Sequence, residues 1–250
     1  MKTLKVVVLS RKILFLAIFL ILSIQVGLTL VVLRHTYTPT VEFQDPQNGI
    51  IIIDPGHGGI DGGTNRDGLL EKDINLLVAL KLKDILELKD YSVLMTRDDD
   101  ISLEGLDHSG SGRHKRDLNT RVSLINASNA QLFVSIHVNS SKSPKADGSI
   151  VFYSKRLEQN ETLAYSIQRA LNSLIVDGIK RTTHNPQKGD YYLLNHTDIP
   201  GVIIETAFIS NAKEKKLLGG DTFCTQIASA ISEGIEQYLN ERTSIFKPST

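Results

Sequence analysis

Two spacings of apolar residues alternate along most of this chain. Ile50–Ile53 is a continuous β-branched run, which is typical of a strand covered on both faces. From Glu71 to Leu88 the apolar positions recur every three or four residues instead, which predicts an amphipathic helix. The same two patterns predict further strands at Tyr91–Thr96, Gln131–Ile136, Gly148–Ser154 and Val202–Glu205. They also predict further helices at Leu118–Ala130, Thr162–Val176 and Phe223–Leu239, with a polar loop over residues 98–116.

This alternation of strand and helix predicts an α/β fold. We expect a single mixed, mostly parallel sheet flanked by helices on both faces. From Gly49 to Leu239 that sheet uses all of the predicted elements, so no second domain and no internal repeat is expected. The sequence therefore predicts one folded body over residues 49–250.

The N-terminal segment follows a third pattern, since Ile13–Leu33 contains 21 uncharged, mostly apolar residues. At about 1.5 Å of rise per residue, a helix of that length crosses the roughly 30 Å hydrocarbon core of a membrane. Basic residues precede it, which by the positive-inside tendency predicts a cytoplasmic N-terminus: Lys2, Lys5, Arg11 and Lys12. We expect a cytoplasmic tip and single-pass transmembrane anchor over residues 1–34, then a linker over residues 35–48. A cleaved signal peptide is the alternative, although its apolar region is usually only about 7–15 residues long.

Composition narrows the classes of function. The 250 residues carry 28 basic and 28 acidic side chains, but five of the basic ones and no acid fall within residues 1–34. The rest of the chain therefore has a net charge of about −5, which disfavours binding to nucleic-acid phosphates. The single cysteine excludes an intramolecular disulfide and a cysteine-rich zinc site.

The first candidate for chemistry is the segment Asp54-Pro-Gly-His-Gly-Gly59, directly after the first predicted strand. Its glycines allow a sharp turn and a close approach to a ligand, and His57 falls at the carboxyl end of the strand. A phosphate-binding loop would require Gly-Lys-Ser/Thr, and a dinucleotide fingerprint would require glycine where Asp61 stands. A plain turn and a metal-binding histidine are the interpretations that remain.

Three further residues fall at the same predicted edge of the sheet. His137 ends the apolar run that begins at Leu132, and ligand sites in open α/β sheets lie beyond the carboxyl ends of the strands. Glu71 opens the first long helix, where a negative charge also suits the helix dipole. Glu205 ends a run hydrophobic enough for a central strand, where an unpaired carboxylate is costly to bury. A partner cation or a catalytic role is the reason that we predict for Glu205.

Two histidines and two glutamates at one edge suggest a metal site. Two histidines, one carboxylate and a water form the open catalytic arrangement of zinc, and a second glutamate is then free for proton transfer. Mixed nitrogen and oxygen donors suit zinc better than Mg²⁺ or Ca²⁺. A non-haem Fe(II) oxygenase uses the same ligand types, but it leaves Glu205 without a role and predicts a jelly-roll.

These segments resemble the zinc-dependent N-acetylmuramoyl-L-alanine amidases of the bacterial cell wall, the amidase-3 type. Four matching blocks occur in family order, and the resemblance extends over about residues 49–240. The blocks are Asp54–Gly59, Glu71–Asn75, Ser135–Asn139 and Glu205–Asn211. Val138 and Ala207 depart from the family pattern, which usually has Ala and Gly there. The anchor and the stretch Lys115–Arg121 are similar to the spore-cortex, or germination-specific, amidases.

The resemblance implies zinc as the cofactor, with His57, Glu71 and His137 as its ligands and Glu205 as the catalytic carboxylate. It implies that residues 49–250 are a catalytic amidase domain, which cleaves the amide between N-acetylmuramic acid and L-alanine in peptidoglycan. With the anchor, this action falls on the extracytoplasmic face of the cell membrane. The expected partners are peptidoglycan and the membrane, without nucleic acid, and an activating or targeting protein is left open.

Two rival functions remain open at this point. One is a zinc peptidase acting on the stem peptides of peptidoglycan, for which Arg97 or Arg181 could hold a terminal carboxylate. The other is an inactive peptidoglycan-binding relative, against which the intact Glu205 argues.

Overall fold

The structure, a computed structural model, describes residues 10–36, 48–106 and 111–245. The chain forms two units, Met1–Asp45 and Pro46–Thr250. In the first unit, helix α1 spans Arg11–Thr36, so that the apolar segment is helical as predicted. Its part over Arg11–Thr29 has a mean hydropathy of 2.2 and is long and apolar enough to cross a membrane, a property that signal sequences share. Most of the predicted linker lies outside the described residues.

The second unit contains one central sheet and two short two-stranded hairpins. In chain order the strands are β1 (Ile50–Pro55), β2 (Asn65–Arg66), β3 (Leu69–Leu70), β4 (Ser92–Met95), β5 (Leu132–Asn139), β6 (Ile150–Tyr153), β7 (Ile175–Val176), β8 (Ile179–Lys180), β9 (Gln187–Lys188) and β10 (Gly201–Phe208). Six of them form one sheet in the order β4-β1-β5-β10-β6-β9. Neighbours in this sheet are parallel except β10 and β6, which are antiparallel. The prediction of one mixed, mostly parallel sheet is confirmed.

Helices cover both faces of the sheet. They are α2 (Glu71–Glu87), α3 (Arg113–Ala127), α4 (Glu158–Asn172), α5 (Tyr192–His196), α6 (Ala212–Leu218) and α7 (Asp221–Ile245). The larger apolar cluster packs α2, α4 and α7 on one face, through residues such as Leu82, Ile167 and Ile231. The smaller cluster packs α3 and α5 on the other face, through Ile125 and Leu193.

The alternation along the central strands decides which side chains face α3. Ile52 of β1, Phe133 of β5 and Ile203 of β10 belong to the smaller cluster, whereas their immediate neighbours belong to the larger one. Because strand side chains alternate, the polar residues two or four positions further along each strand project on the α3 side too. His137 and Glu205 are in this set, and they are directly paired across β5 and β10.

The structure corrects several predicted boundaries, among them the start of α3 and the end of α4. Helix α3 begins at Arg113, within the segment 98–116 that we expected to be a loop, because its first turn is polar and has no apolar period. Helix α4 ends at Asn172 instead of Val176, and Ile175–Val176 is strand β7. The predicted helix was too long because Leu174 and Val176 are apolar and continue the helical spacing. In the structure a tight turn follows β7 at Asp177 and Gly178, which have φ of 51° and 76°.

Candidate metal centre

His57 owes its position to a strained turn after β1. Its φ is 62°, and Gly58 and Gly59 have φ of 136° and 56°. A positive φ is unfavourable for a residue with a Cβ atom, so the surroundings of His57 must hold it there. In this conformation the His57 ring faces the beginning of α2, and its Nε2 lies 3.1 Å from Oε1 of Glu71.

Glu71 is the first residue of α2, and it is buried with 4% of its surface exposed. Its Oε1 lies 3.0 Å from Nδ1 of His137 and accepts the Val138 N–H at 3.2 Å. Its Oε2 accepts the Thr64 N–H at 2.8 Å. A Cβ at Gly63 would come within 2.7 Å of Oε2, so the loop can approach the carboxylate only with glycine there. Both carboxylate oxygens are therefore fixed.

His137 comes to the same point from β5. A Cβ at Gly56 would lie 2.2 Å from Nε2 of the His137 ring, so the glycine leaves the space that the ring needs. The rings of His57 and His137 meet edge to face with centroids 5.0 Å apart. One ligand atom from each of His57, Glu71 and His137 lies within 4.8 Å of the others, the kind of cluster that could hold a metal ion.

Asp61 orients the first histidine, a contact that the sequence analysis did not predict. Its Oδ2 lies 2.8 Å from Nδ1 of His57, and its Oδ1 accepts the Gly63 N–H at 3.0 Å. A carboxylate on the far nitrogen of a histidine is a common partner of metal-binding histidines, because it leaves the other nitrogen free as a donor. The available signal was an acidic residue four positions after His57 in the same glycine-rich turn.

The electrostatics of the cluster favour a positive charge at its centre. Burial lowers the pKa of His57, but the hydrogen bond and charge of Glu71 outweigh it, and with Asp61 they raise this pKa to about 9. Burial raises the pKa of Glu71, yet its contacts with His137 and His57 bring the net pKa well below its usual range. Two imidazoles and a carboxylate that converge in this way are the donor types of an open zinc site. The residues present fit a metal ion.

Glu205 differs from Glu71 although it lines the same cavity. Its Oε2 is shielded from solvent and has no hydrogen-bond partner among the described residues. Burial, the largest cause, and the Glu71 charge raise the pKa of Glu205 to about 7, while His137 and His57 oppose the shift. A carboxyl group with a pKa near neutrality can both accept and release a proton at working pH.

The cavity above these residues has a volume of about 710 Å³. Tyr191 and Tyr192, at the beginning of α5, form its opposite wall together with Asp190 and His114. Tyr192 donates its hydroxyl to Asn119 Oδ1 at 2.8 Å, so this wall is attached to α3. The cavity is therefore large enough to hold a ligand beside the cluster.

The two arginines proposed for a terminal carboxylate are used elsewhere. Arg97 donates to the carbonyl oxygens of Pro55 and Gly56 at 3.0 and 2.9 Å, beneath the turn. Arg181 forms a buried ion pair with Glu214. Neither residue lines the cavity of the His57 cluster. The structure therefore gives no support to the hypothesis that Arg97 or Arg181 holds the terminal carboxylate of a stem peptide, as a zinc peptidase would require.

An α/β sheet with a His–Glu–His cluster and a separate carboxylate at the carboxyl ends of its strands is typical of hydrolases that use a metal ion. Comparison with known proteins makes the class definite. The family model described as N-acetylmuramoyl-L-alanine amidase matches residues 51–237. The chain belongs to this family, and it is an amide hydrolase that acts on peptidoglycan.

Individual relatives agree with this assignment. A germination-specific N-acetylmuramoyl-L-alanine amidase of Bacillus subtilis is 40% identical over 195 residues, which are 77% of this chain and 81% of that protein. The structure of the CwlD amidase from Clostridioides difficile in complex with the GerS lipoprotein is similar with a TM-score of 0.70 and 41% identity. That match covers 78% of this chain and 100% of the other. The catalytic domain of CwlV, an amidase from Bacillus (Paenibacillus) polymyxa, matches with a TM-score of 0.64 and 30% identity, over 77% of this chain and 98% of that domain.

Proposed function

We propose that this amidase is zinc-dependent, with His57, Glu71 and His137 as the zinc ligands and Glu205 as the catalytic carboxylate. One observation carries the proposal: three donor atoms within 4.8 Å of one another share a cavity with a shielded carboxylate oxygen that has no partner among the described residues. The bond cleaved is the amide between N-acetylmuramic acid and L-alanine.

The chain's own residues divide the work of the reaction. Zinc at such a site supplies a water of lowered pKa and polarises a carbonyl oxygen. Glu205 takes a proton from the attacking water and then delivers it to the amine of the leaving alanine. The group must be ionised for the first step and protonated for the second, and a buried carboxyl group with a raised pKa is suited to gain and lose a proton. Asp61 keeps His57 in the tautomer that presents Nε2 to the cluster.

Digestion of purified peptidoglycan tests this function directly. The full chain, purified in detergent, is loaded with zinc and its soluble products are analysed by mass. Glycans with free lactyl groups and peptides with a free L-alanine amine are expected. Cleavage within the stem peptide would indicate the peptidase, and binding without any cleavage would indicate the inactive relative. Metal analysis of the same protein should give about one zinc per chain.

We propose further that α1 anchors the enzyme in the cell membrane with the catalytic unit on the extracytoplasmic side. The apolar length of α1, the four basic residues before the apolar segment Ile13–Leu33 and the peptidoglycan substrate support this topology. Protease added to intact spheroplasts should degrade the catalytic unit. Full protection, with the protein in the cytosolic fraction, would overturn the topology, and a shortened mature protein free of membranes would indicate a signal peptide.

We propose that the substrate is the peptidoglycan of the spore cortex. We also propose that a partner protein assists the enzyme. The similarity to a germination-specific amidase supports the substrate, and the CwlD amidase found in complex with the GerS lipoprotein supports a partner. Purified cortex and vegetative wall should be digested side by side. Faster release from cortex is expected, whereas equal release from both would make the enzyme a general wall amidase.

A further inference from the structure

Three consecutive main-chain carbonyls in the turn after β1 are held by buried side chains. Arg121 of α3 donates from Nη1 to Pro55 O at 2.8 Å and from Nη2 to His57 O at 2.7 Å. Arg97 donates to Pro55 O at 3.0 Å and to Gly56 O at 2.9 Å, and Asn75 of α2 also reaches Gly56 O, at 3.1 Å. Hydrogen bonds from a charged donor are stronger than those between neutral groups, so these three carbonyls are held firmly.

The guanidinium of Arg121 is itself fixed by two carboxylates. Asp54 Oδ1 accepts from its Nη1 and Asp117 Oδ1 accepts from its Nε, each at 2.6 Å. Asp54 also accepts the hydroxyl protons of Thr96 and Ser135 at 2.6 Å, which connects it to the neighbouring strands of the sheet. Arg121 and Asp54 are 2% and 1% exposed, so the pair is buried. A buried charge pair with four hydrogen bonds from the guanidinium fixes geometry well, whatever its net contribution to stability.

The strained residue of the turn is the histidine of the cluster. His57, at φ 62°, is the one ligand of the three with a left-handed backbone. Such a conformation is unfavourable for a residue with a Cβ atom and persists only where the surroundings hold it. Arg121 Nη2 contacts the carbonyl of this residue itself, which fixes the orientation of the peptide that follows the strained torsion.

We propose that Arg121, assisted by Arg97, is a positioning residue of the metal centre: it holds the His57 backbone in the left-handed conformation that directs Nε2 toward Glu71. The inference rests on the proposed zinc site. Arg121 lies at the cavity wall with only 2% of its surface exposed, and it acts on the metal centre through the main chain of His57. Lysine cannot replace it, because a single ammonium nitrogen cannot span the Pro55 and His57 carbonyls while it also contacts Asp54 and Asp117.

The test is the zinc dissociation constant of Arg121→Lys, measured by competition with a chromophoric chelator on the full chain in detergent. We expect binding weaker by about 10–100-fold, the range typical of lost outer partners of metal ligands. Arg97→Lys should weaken binding less, because Arg97 contacts the Pro55 and Gly56 carbonyls but not that of His57. A dissociation constant of Arg121→Lys equal to that of the wild type would overturn the proposal.

Arg181→Lys is the matched control. Arg181 is likewise an arginine in a buried ion pair, with Glu214, but it makes no contact with the turn at residues 55–57. It should lose thermal stability as Arg121→Lys does and keep the zinc affinity of the wild type. An equal loss of zinc affinity in both variants would show that general destabilisation is the cause, and would overturn the positioning role.

Two further measurements keep the result decisive. If Arg121→Lys does not fold, Arg97→Lys decides: zinc binding weaker than in Arg181→Lys supports the proposal, and equal binding overturns it. The wild type and His57→Ala are measured alongside to separate this inference from the proposed function. Equal zinc binding by these two proteins would refute the zinc site itself, whereas strong binding by the wild type alone leaves the site intact and tests only Arg121.

Discussion

Glu71 at the beginning of α2 and Glu205 near the end of β10 are the same residue type in the same cavity, but their surroundings are opposite. Glu71 has partners on both oxygens and a lowered pKa. Glu205 has a shielded Oε2 without a partner among the described residues, and burial raises its pKa to about 7. One environment stabilises a permanent negative charge, and the other favours a group that gains and loses a proton.

The role of each carboxylate therefore follows from its neighbours. Where a site contains two ionisable groups whose surroundings separate their pKa values, the two groups have different tasks. The two histidines cause this separation of pKa values, because each places a ring nitrogen at hydrogen-bond distance from Oε1 of Glu71. Substitutions at these two carboxylates and at their neighbours test the comparison.

Glu71→Gln should abolish zinc binding and activity together. The amide keeps the shape of the side chain but removes the negative charge and the oxygen that both histidines approach. The loss of zinc affinity should exceed the roughly 10–100-fold that loss of an outer partner costs. Metal analysis after dialysis against chelator measures it, with His57→Ala as the control that should behave alike. Full zinc content in Glu71→Gln would remove Glu71 from the ligand set.

Glu205→Gln should keep its zinc and lose activity. The three proposed ligands are unchanged, whereas the amide cannot accept the proton of the attacking water. General acid–base assistance is typically worth about 10²–10⁴-fold, and release of muropeptides should slow by that factor. Wild-type turnover in this variant would refute the proton-transfer role. Loss of zinc would instead place Glu205 among the ligands.

Asp61→Asn should weaken zinc binding by about 10–100-fold without changing the ligand count. The amide cannot hold Nδ1 of His57 as the carboxylate does, so the preference for a donor Nε2 is reduced. Asp190→Asn is the matched control, since Asp190 lines the same cavity but accepts from Asn195 at 2.6 Å instead of from a histidine. Chelator competition compares the two variants, and equal affinities would contradict the orienting role of Asp61.

The smallest effect concerns the pH dependence of stability without metal. The pKa of Glu205 is about 7 in the folded chain and about 4.3 when unfolded, so between these values the folded state binds the extra proton. Its contribution to stability therefore falls as pH rises through this window. Relative to the wild type, Glu205→Gln should gain about 1 kcal/mol of unfolding free energy between pH 5 and pH 6. Denaturant titrations in chelator at both pH values measure it, and a constant difference would contradict the raised pKa.

The elements that bring the site together could be predicted because their patterns are local. The run Ile50–Ile53, the glycine-rich turn after it and the apolar run before His137 are each visible in a few residues. Parallel strands end at one edge of a sheet, so His57 and His137 could be placed side by side although 80 positions separate them. The same argument brought Glu205 to this edge, since β10 lies beside β5.

The supporting residues could not be predicted, because their contacts exist only in the folded chain. Arg121 lies on α3, and the start of that helix could not be predicted because its first turn is polar. Nothing in the residues around it indicates that its guanidinium would reach the carbonyl of His57, 64 positions earlier. Asp61 was visible in sequence as the residue that excludes a dinucleotide fingerprint, but its contact with Nδ1 depends on the left-handed turn at His57.

The register of β10 on β5 has a consequence for how such an enzyme tolerates change. Glu205 pairs with His137, and the residues on either side of it, Ile204 and Thr206, are fully buried. A slip of one residue would turn Glu205 to the opposite face of the sheet and put an apolar or hydroxyl side chain in its place. The apolar packing of Ile203 and Ile204 against opposite faces prevents that slip. The apolar packing of β10 therefore sets the position of Glu205, so changes in that packing are constrained by the geometry of the cavity, which Ile203 also lines.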